Sequence, residues 1–171
     1  MSVCLLVSIR LSTRKNSKTT SLKAKNSILL SYRDTDKTKV FIVNVSKQTA
    51  TDLFVEIINN TPVGDPSLWK SKPPADYIPG NLQSNWQCTL GTPASGMWSF
   101  ENKSAEATIS AMKSVIADAN VENGIFLTNL LPYAARIEYG AHSTQAPQGM
   151  VRISIAQFQH IFTKAVAKVA A

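Results

Sequence analysis

Residues 61–86, TPVGDPSLWKSKPPADYIPGNLQSNW, hold five of the chain's eight prolines and two of its seven glycines. Proline removes a backbone donor and fixes φ, so regular structure is excluded over most of this stretch. A loop of this length in a compact domain is usually either functional or disordered. Because Trp69, Tyr77 and Ile78 are atypical of disordered segments, we predict an extended loop that docks on its own domain or on a neighbour.

Before this loop, the sequence shows strand, linker and helix patterns in turn. Residues 1–11 alternate loosely between apolar and polar and predict a strand, and residues 12–27 indicate a linker or arm. The Val- and Ile-rich runs 27–33 and 38–45 fit either strands or the entry to a first helix. A helix is predicted over 46–59, with Ser46 as its N-cap and with Pro62 ending it.

After the loop, strands and helices alternate. We predict a strand over 84–90, a helix over 104–119 with Ser104 as its N-cap, and a buried strand over 123–130 that follows an Asn-Gly turn. Together with the terminal helix, these elements indicate an α+β fold. We expect a small mixed or antiparallel sheet packed with an N-terminal helix, a middle helix and a long C-terminal helix, plus the long proline-rich loop.

The C-terminal part holds two further helical patterns. Residues 132–140 predict a short helix with Pro132 at its first position and Gly140 as its stop, where we expect a positive φ. Residues 150–170 predict one long helix, although the β-branched residues at its start also fit a strand. If the segment is a helix, these apolar side chains lie on one face of it: Val151, Ile155, Phe158, Phe162, Val166 and Val169.

All of the net charge of +7 lies in the N-terminal segment. Residues 1–39 hold nine Lys and Arg against two Asp, whereas residues 40–171 hold nine of each sign. We therefore divide the chain into a basic arm, 1–39, and a neutral domain, 40–171. Such an arm is typical of contact with nucleic acid or an acidic partner, and a solvated mobile tail is the alternative. The candidate nucleic-acid residues are Arg10, Arg14, Lys15, Lys18, Lys23 and Lys25.

The cysteines and the apolar runs indicate the cellular compartment in which the protein resides. Cys4 and Cys88 are far apart and lack metal-ligand spacing, which favours reduced thiols in a cytoplasmic setting. The N-terminal apolar run is short, and its basic residues follow it, which is the wrong order for a secretion signal. No run approaches the ~20 apolar residues of a membrane span, so we expect no membrane contact.

The chain shows no constellation typical of an enzyme. His142 and His160 are the two histidines, and no G-x-S-x-G motif accompanies them. The stretch GTPASGMW has phosphate-loop glycine spacing, but Met97 replaces the lysine and Trp98 the Ser/Thr. The acids are scattered without metal-ligand spacing. We expect no catalytic site, no metal and no cofactor.

Two stretches carry a resemblance to a known family. The first is a helix followed by Thr61-Pro62-Val63 and, after an insertion, by Gly80-Asn81-Leu82-Gln83-Ser84-Asn85-Trp86. The second contains Tyr133-Ala134, Glu138-Tyr139-Gly140 and Ala146-Pro147-Gln148-Gly149-Met150-Val151-Arg152. Their order and spacing resemble those of the neck, or tail-completion, proteins of long-tailed bacteriophages, over about residues 45–165.

The resemblance implies a non-enzymatic virion protein that is made in the host cytoplasm. It also implies a ring of identical subunits around the DNA channel, in contact with the tail terminator, the tail tube and the head-side connector. A tail terminator ring, a small DNA-binding protein acting through its arm, and, last, an enzyme are the alternatives.

Tyrosine and Arg are enriched at interfaces, and Arg136 and Glu138 are poorly placed to pair with each other, so each could bridge to another element or subunit. Tyr133, Tyr139 and Trp86 could instead fill the subunit's own core. The predicted interface residues are Trp69, Tyr77, Trp86, Tyr133, Arg136, Glu138, Tyr139, His142 and Arg152.

Overall fold

A computed structural model describes residues 5–9, 25–69, 72–73, 77–96, 104–140 and 143–171, with side chains from residue 36 onwards apart from that of Leu68. The strands are β1 Leu5–Ile9, β2 Trp86–Leu90 and β3 Ile125–Asn129. The helices are α1 Lys25–Asn59, α2 Asn81–Ser84, α3 Ala105–Ala117, α4 Ala134–Tyr139, α5 Val151–Ala156 and α6 Phe158–Ala170, with a 3-10 turn at Pro66–Leu68.

The three strands form one antiparallel sheet in the order β1-β3-β2. Asn129 of β3 stands opposite Leu5 of β1 on one side and Trp86 of β2 on the other. Helices α3, α5 and α6 lie against α1, and α3 also lies against β2. The predicted α+β class, with a small antiparallel sheet and a C-terminal helical segment, is therefore confirmed.

The core lies between α1, α3 and the sheet. Helix α1 supplies Leu53, Phe54, Ile57 and Ile58, all buried at the spacing of one helix face. Facing them are the buried apolar side chains Met112, Ile116, Ile125 and Leu127.

Helix α1 is much longer than predicted. It runs unbroken through residues 27–33 and 38–45, so the strand alternative for these runs is wrong and the helix-entry alternative is right. Ser46 is consequently not an N-cap: it lies inside the helix, and its hydroxyl donates to the carbonyl of Ile42 at 2.8 Å. The end of the helix before Pro62 is as predicted.

The predicted boundary of the basic arm, residue 39, lies inside helix α1. Helix α1 crosses it without a break, and residues 5–9 pair with β3 in the sheet. The chain before residue 40 therefore contributes a strand and part of a helix to the fold. Residues 10–24, which carry most of the predicted arm, lie outside the described residues.

Helix α3 and strand β3 lie where the sequence predicts them. The Ser104 hydroxyl accepts the amide of Ala107 at 3.1 Å and caps α3. Gly124 of the Asn-Gly turn has a φ of +87°, which suits a residue without a Cβ, and β3 follows directly.

The C-terminal predictions need three corrections. Pro132 precedes α4 instead of opening it, because the helix begins at Ala134 after Tyr133. Gly140 ends α4 with a φ of −95°, not a positive φ. The terminal helix is two helices that meet at Gln157, and its start is not a strand.

This break changes which side chains are buried. Helix α6 buries Ile161 and Ala165, whereas Phe158 and Phe162, which were predicted to share a face with Val151, are exposed. Ile155 of α5 is exposed too.

Candidate interaction surface

The Glu138 carboxylate is the centre of the site. It is fully buried in α4, and its Oε2 accepts the amides of Met150 at 2.7 Å and Val151 at 2.9 Å. Its Oε1 accepts the amide of Arg152 at 3.0 Å. No side chain of α5 itself caps that helix, so Glu138 satisfies the free amides of its first turn.

Arg152 and Tyr139 lie on the surface directly above this carboxylate. The Arg152 Nε donates to Oε1 of Glu138 at 3.2 Å, and its Nη2 donates to the carbonyl oxygen of the same residue. The guanidinium carbon lies 5.4 Å from the centroid of the Tyr139 ring, within range of a cation–π interaction. Tyr139 is 65% exposed. The buried carboxylate thus holds an exposed Arg–Tyr pair in a fixed orientation.

Gly149 allows the loop before α5 to lie close to Glu138 of α4. Its φ is +84°, and a Cβ at this position would lie 2.6 Å from the carbonyl oxygen of Glu138 and 2.7 Å from its carboxyl group. A larger residue would push the loop away from α4. The requirement for glycine here is therefore both conformational and steric.

Helix α5 is also tied to the end of α1. The side-chain amide of Asn60 donates to the Ser154 hydroxyl at 3.0 Å, and this hydroxyl donates to the carbonyl of Met150 at 2.7 Å. Ser154 is fully buried. The start of α5 is therefore bonded both to Glu138 of α4 and to Asn60 at the end of α1.

The proline-rich loop packs on this same region. The side-chain amide of Gln145 bonds to the backbone of Val63 in both directions. Its oxygen accepts the Val63 amide at 3.1 Å, and its nitrogen donates to the Val63 carbonyl at 3.0 Å. Within the loop, the Tyr77 hydroxyl donates to the carbonyl of Gly64 at 2.9 Å, and the rings of Trp69 and Tyr77 are 4.6 Å apart. The loop therefore docks on its own domain, which was one of the two predicted options.

Trp86 and Tyr133 connect the loop to the core. The indole Nε1 of Trp86 donates to the Thr61 hydroxyl at 2.8 Å, in the interior. The Tyr133 hydroxyl accepts from the amide of Asn81 at 3.4 Å, and burial raises the pKa of its phenol. Trp86 thus joins the end of α1 to the start of β2.

The nine predicted interface residues divide by exposure. Trp86 and Glu138 are buried within the chain. Tyr77 and Tyr133 are half-buried, and His142 lies outside the described residues. The remaining four are exposed: Trp69, Arg136, Tyr139 and Arg152.

The nucleic-acid prediction falls on a part of the chain that the structure does not describe. Lys25 is the first residue of α1, and its side chain lies outside the described residues. The other candidates lie outside them altogether: Arg10, Arg14, Lys15, Lys18 and Lys23.

An aromatic ridge was not foreseen. Arg152, Ile155, Phe158 and Phe162 follow one another along the solvent side of α5 and α6, and we call these four residues the aromatic ridge. The rings of Phe158 and Phe162 lie 6.3 Å apart at an interplanar angle of 20°. Tyr139 extends the ridge through its contact with Arg152. Exposed apolar side chains in such a group are typical of a contact surface.

Features suited to catalysis are few in the described ranges. There, no group of three or more His, Cys, Asp and Glu could hold a metal. Cys88 is a weak nucleophile, because burial raises the pKa of its thiol to about 12.

A shallow pocket of about 430 Å³ lies between α1, α3 and α6, apart from the Glu138 cluster. Lys47 donates to the carbonyl of Ala117 beside it at 2.6 Å. The lining residues are Asn44, Lys47, Gln48, Thr51, Lys113, Ile116, Ala117 and Val169.

Among the described residues, no helix is long and apolar enough to cross a membrane. Comparison of the chain with models of protein families, with curated proteins and with solved structures finds no match in any of the three.

Proposed function

We propose that this chain is a structural virion protein of a long-tailed bacteriophage that acts at the head–tail junction. It completes the tail and joins it to the connector, as a ring of subunits around the DNA channel. Its binding free energy goes into docking with copies of itself and with neighbouring proteins, and it transforms no substrate.

One observation carries the proposal: the two stretches that resemble the neck proteins form a single unit in space. Val63 of the first stretch is bonded through its backbone to Gln145 of the second. Thr61 and Trp86, at the two ends of the first stretch, are bonded to each other. Residues that carry the resemblance and are far apart in sequence therefore lie together in one part of the fold.

The chemistry of that region supports docking. The Tyr139–Arg152 pair is exposed, and both residue types are enriched where protein interfaces concentrate their binding energy. Glu138 fixes the pair in advance, which lowers the entropy lost when a partner binds.

The test is co-sedimentation of the purified full chain with terminated tail tubes of the phage. We expect the chain to pellet with the tubes, and we expect Tyr139→Ala with Arg152→Ala to weaken this at least tenfold. The matched control is Leu90→Ala, an exposed apolar residue of β2 outside the region, which should bind as the parent does. A parent chain that stays in the supernatant at every concentration contradicts the proposal.

The tail terminator alternative differs in its direct neighbour. A terminator caps the bare tube, whereas a completion protein needs the terminator ring to be in place. Pull-downs with bare tubes and with terminated tubes separate the two roles, and we expect binding to the terminated tubes.

The uneven charge favours DNA binding as a second candidate function. The test replaces the five Lys and Arg between residues 10 and 23 with Gln and leaves β1 and α1 intact. DNA binding through this segment weakens steeply as salt rises and is lost in the Gln variant. Binding that ignores both changes removes this candidate.

A further inference from the structure

Two exposed arginines lie next to the exposed ring of Tyr139. Arg136 and Tyr139 are three residues apart in α4, so their side chains leave the same face of that helix. The Arg152 guanidinium carbon lies 5.4 Å from the centroid of the Tyr139 ring. Arg136 and Arg152 are both exposed, and Tyr139 is 65% exposed. We call Arg136, Tyr139 and Arg152 the Arg–Tyr–Arg patch.

Arg152 uses only one edge of its guanidinium within the chain. The group is planar and carries five N–H donors. Nε and Nη2, which share one edge, donate to Oε1 and to the backbone carbonyl oxygen of Glu138. The other edge, between Nη1 and Nη2, has no acceptor among the residues that the structure describes. Two parallel N–H groups on such an edge fit the two oxygens of a carboxylate.

The sequence around the patch supplies no exposed acid for these donors. Residues 123–163 hold three Lys, Arg, Asp or Glu side chains, which are Arg136, Glu138 and Arg152. Glu138 is fully buried, and its oxygens already accept three backbone amides and the Arg152 Nε. The Arg136 side chain bonds to none of the described residues. This stretch therefore presents two positive charges that an anion from outside the chain would neutralise.

A protein carboxylate fits the patch better than nucleic acid does. Binding to duplex DNA depends on many phosphate contacts along a basic surface. The patch offers two cations, and residues 40–171 hold nine Lys and Arg against nine Asp and Glu. Arginine and tyrosine side chains are instead enriched where protein interfaces concentrate their binding energy.

We propose that the Arg–Tyr–Arg patch binds an Asp or Glu carboxylate on the terminated end of the tail. The free edge of Arg152 takes the carboxylate, and Arg136 adds the second positive charge. Glu138 orients Arg152 before the partner arrives, so less side-chain freedom is lost on binding. This inference rests on the proposed function and names the chemistry by which the same surface recognises its partner.

Charge reversal at Arg136 tests the inference, because this side chain has no bond to lose among the described residues. Co-sedimentation of the full chain with terminated tubes is repeated with Arg136→Glu and with Arg136→Lys. We expect Arg136→Glu to bind about tenfold more weakly or worse, since two like charges then meet. Arg136→Lys keeps the charge and should lose less than about threefold. The matched control is Lys113→Glu, the same change of charge on exposed α3, which should bind as the parent does.

A second variant and added salt test the role of the guanidinium. Arg152→Lys keeps the charge but has no planar edge, so we expect about tenfold weaker binding, with a circular dichroism spectrum like that of the parent. Raising the salt from about 0.05 M to about 0.5 M should weaken the binding of the parent, because the contact is between opposite charges.

The outcomes separate this inference from the proposed function. A parent chain that pellets with the tubes, and that neither salt nor Arg136→Glu weakens, overturns the inference and leaves the proposed function in place. A parent chain that does not pellet removes both. A duplex DNA oligonucleotide is the remaining probe, added to the chain with Gln at its five Lys and Arg between residues 10 and 23. DNA binding that Arg136→Glu abolishes there would assign the patch to phosphate and overturn the inference.

Discussion

Replacement of Glu138 by Ala is the perturbation with the most definite expected effect. The carboxylate is fully buried and accepts three backbone amides at the start of α5 as well as the Nε of Arg152. Alanine removes every one of these acceptors. The amides of Met150 and Val151 are left in the interior without a partner.

The magnitude follows from those two amides. A buried donor that loses its acceptor costs ~1–3 kcal/mol, so the two cost about 2–6 kcal/mol. The Arg152 side chain is 52% exposed, and its ion pair therefore adds no more than ~1 kcal/mol. Because water can enter in part, we expect a loss of about 3–4 kcal/mol and a fall in Tm of about 10 °C for a chain of this size.

Urea denaturation followed by circular dichroism at pH 7 measures this loss. Glu138→Gln retains one acceptor oxygen and should lose roughly half as much. The control is Glu106→Ala, an exposed acid in the first turn of α3, which should lose less than ~1 kcal/mol. A loss below ~1 kcal/mol in Glu138→Ala would show that this carboxylate does not cap α5.

Three further predictions follow from single contacts. Trp86→Phe removes the indole donor to Thr61 and puts a smaller ring in the core, so it should lower the free energy of unfolding in urea by more than about 1–2 kcal/mol; an unaltered midpoint would contradict the bond. Gly149→Ala should cost more than ~2 kcal/mol, because its Cβ would lie 2.6 Å from an α4 carbonyl at a positive φ, and a neutral result in the same assay would exclude that clash. In a Cys4→Ser background, Cys88 should resist alkylation at pH 8, because its raised pKa of about 12 keeps the thiol protonated, and should react at once in urea; equal rates in both states would refute its burial. As pH rises from ~9 towards that folded pKa, the unfolded thiol ionises first, so the native state should lose stability.

Local signals in the sequence were sufficient for the middle of the chain. Ser104 before an amphipathic run and Asn123-Gly124 before an apolar run each specify their own boundary, and the structure has α3 and β3 there. Such signals act over a few residues, so no tertiary contact is needed to interpret them.

Helix α1 shows where local signals are ambiguous. The run 38–45 is rich in Val and Ile, which fits a strand on propensity alone. The helix continues through it because Val45 and Ala50 join a face that α3 and α6 cover. Packing at the C-terminal half of α1 thus decides the state of the earlier residues.

The terminal helices show the effect of a break on phase. The prediction assumed one continuous helix, so it continued the Val151 face through Phe158 and Phe162. The break at Gln157 moves the buried side of α6 to Ile161 and Ala165. No proline or glycine marks this break in the sequence.

The role of Glu138 could not be predicted from side-chain patterns, because its partners are backbone amides 12 to 14 residues away. One signal was present. No Ser, Thr, Asp or Asn precedes Val151 at the N-cap position, where Met150 stands, so α5 lacks a local cap. A helix start without a local cap, soon after a glutamate, indicates that the acid supplies the cap from a distance.

The central claim is that this chain uses its exposed apolar and aromatic surfaces to dock with other copies and with virion proteins. Light scattering of the purified full chain, over a hundredfold range of concentration, measures this most directly. The account predicts one discrete mass that is a multiple of 18.6 kDa and that persists as salt rises. A mass of 18.6 kDa at every concentration and every salt would contradict it.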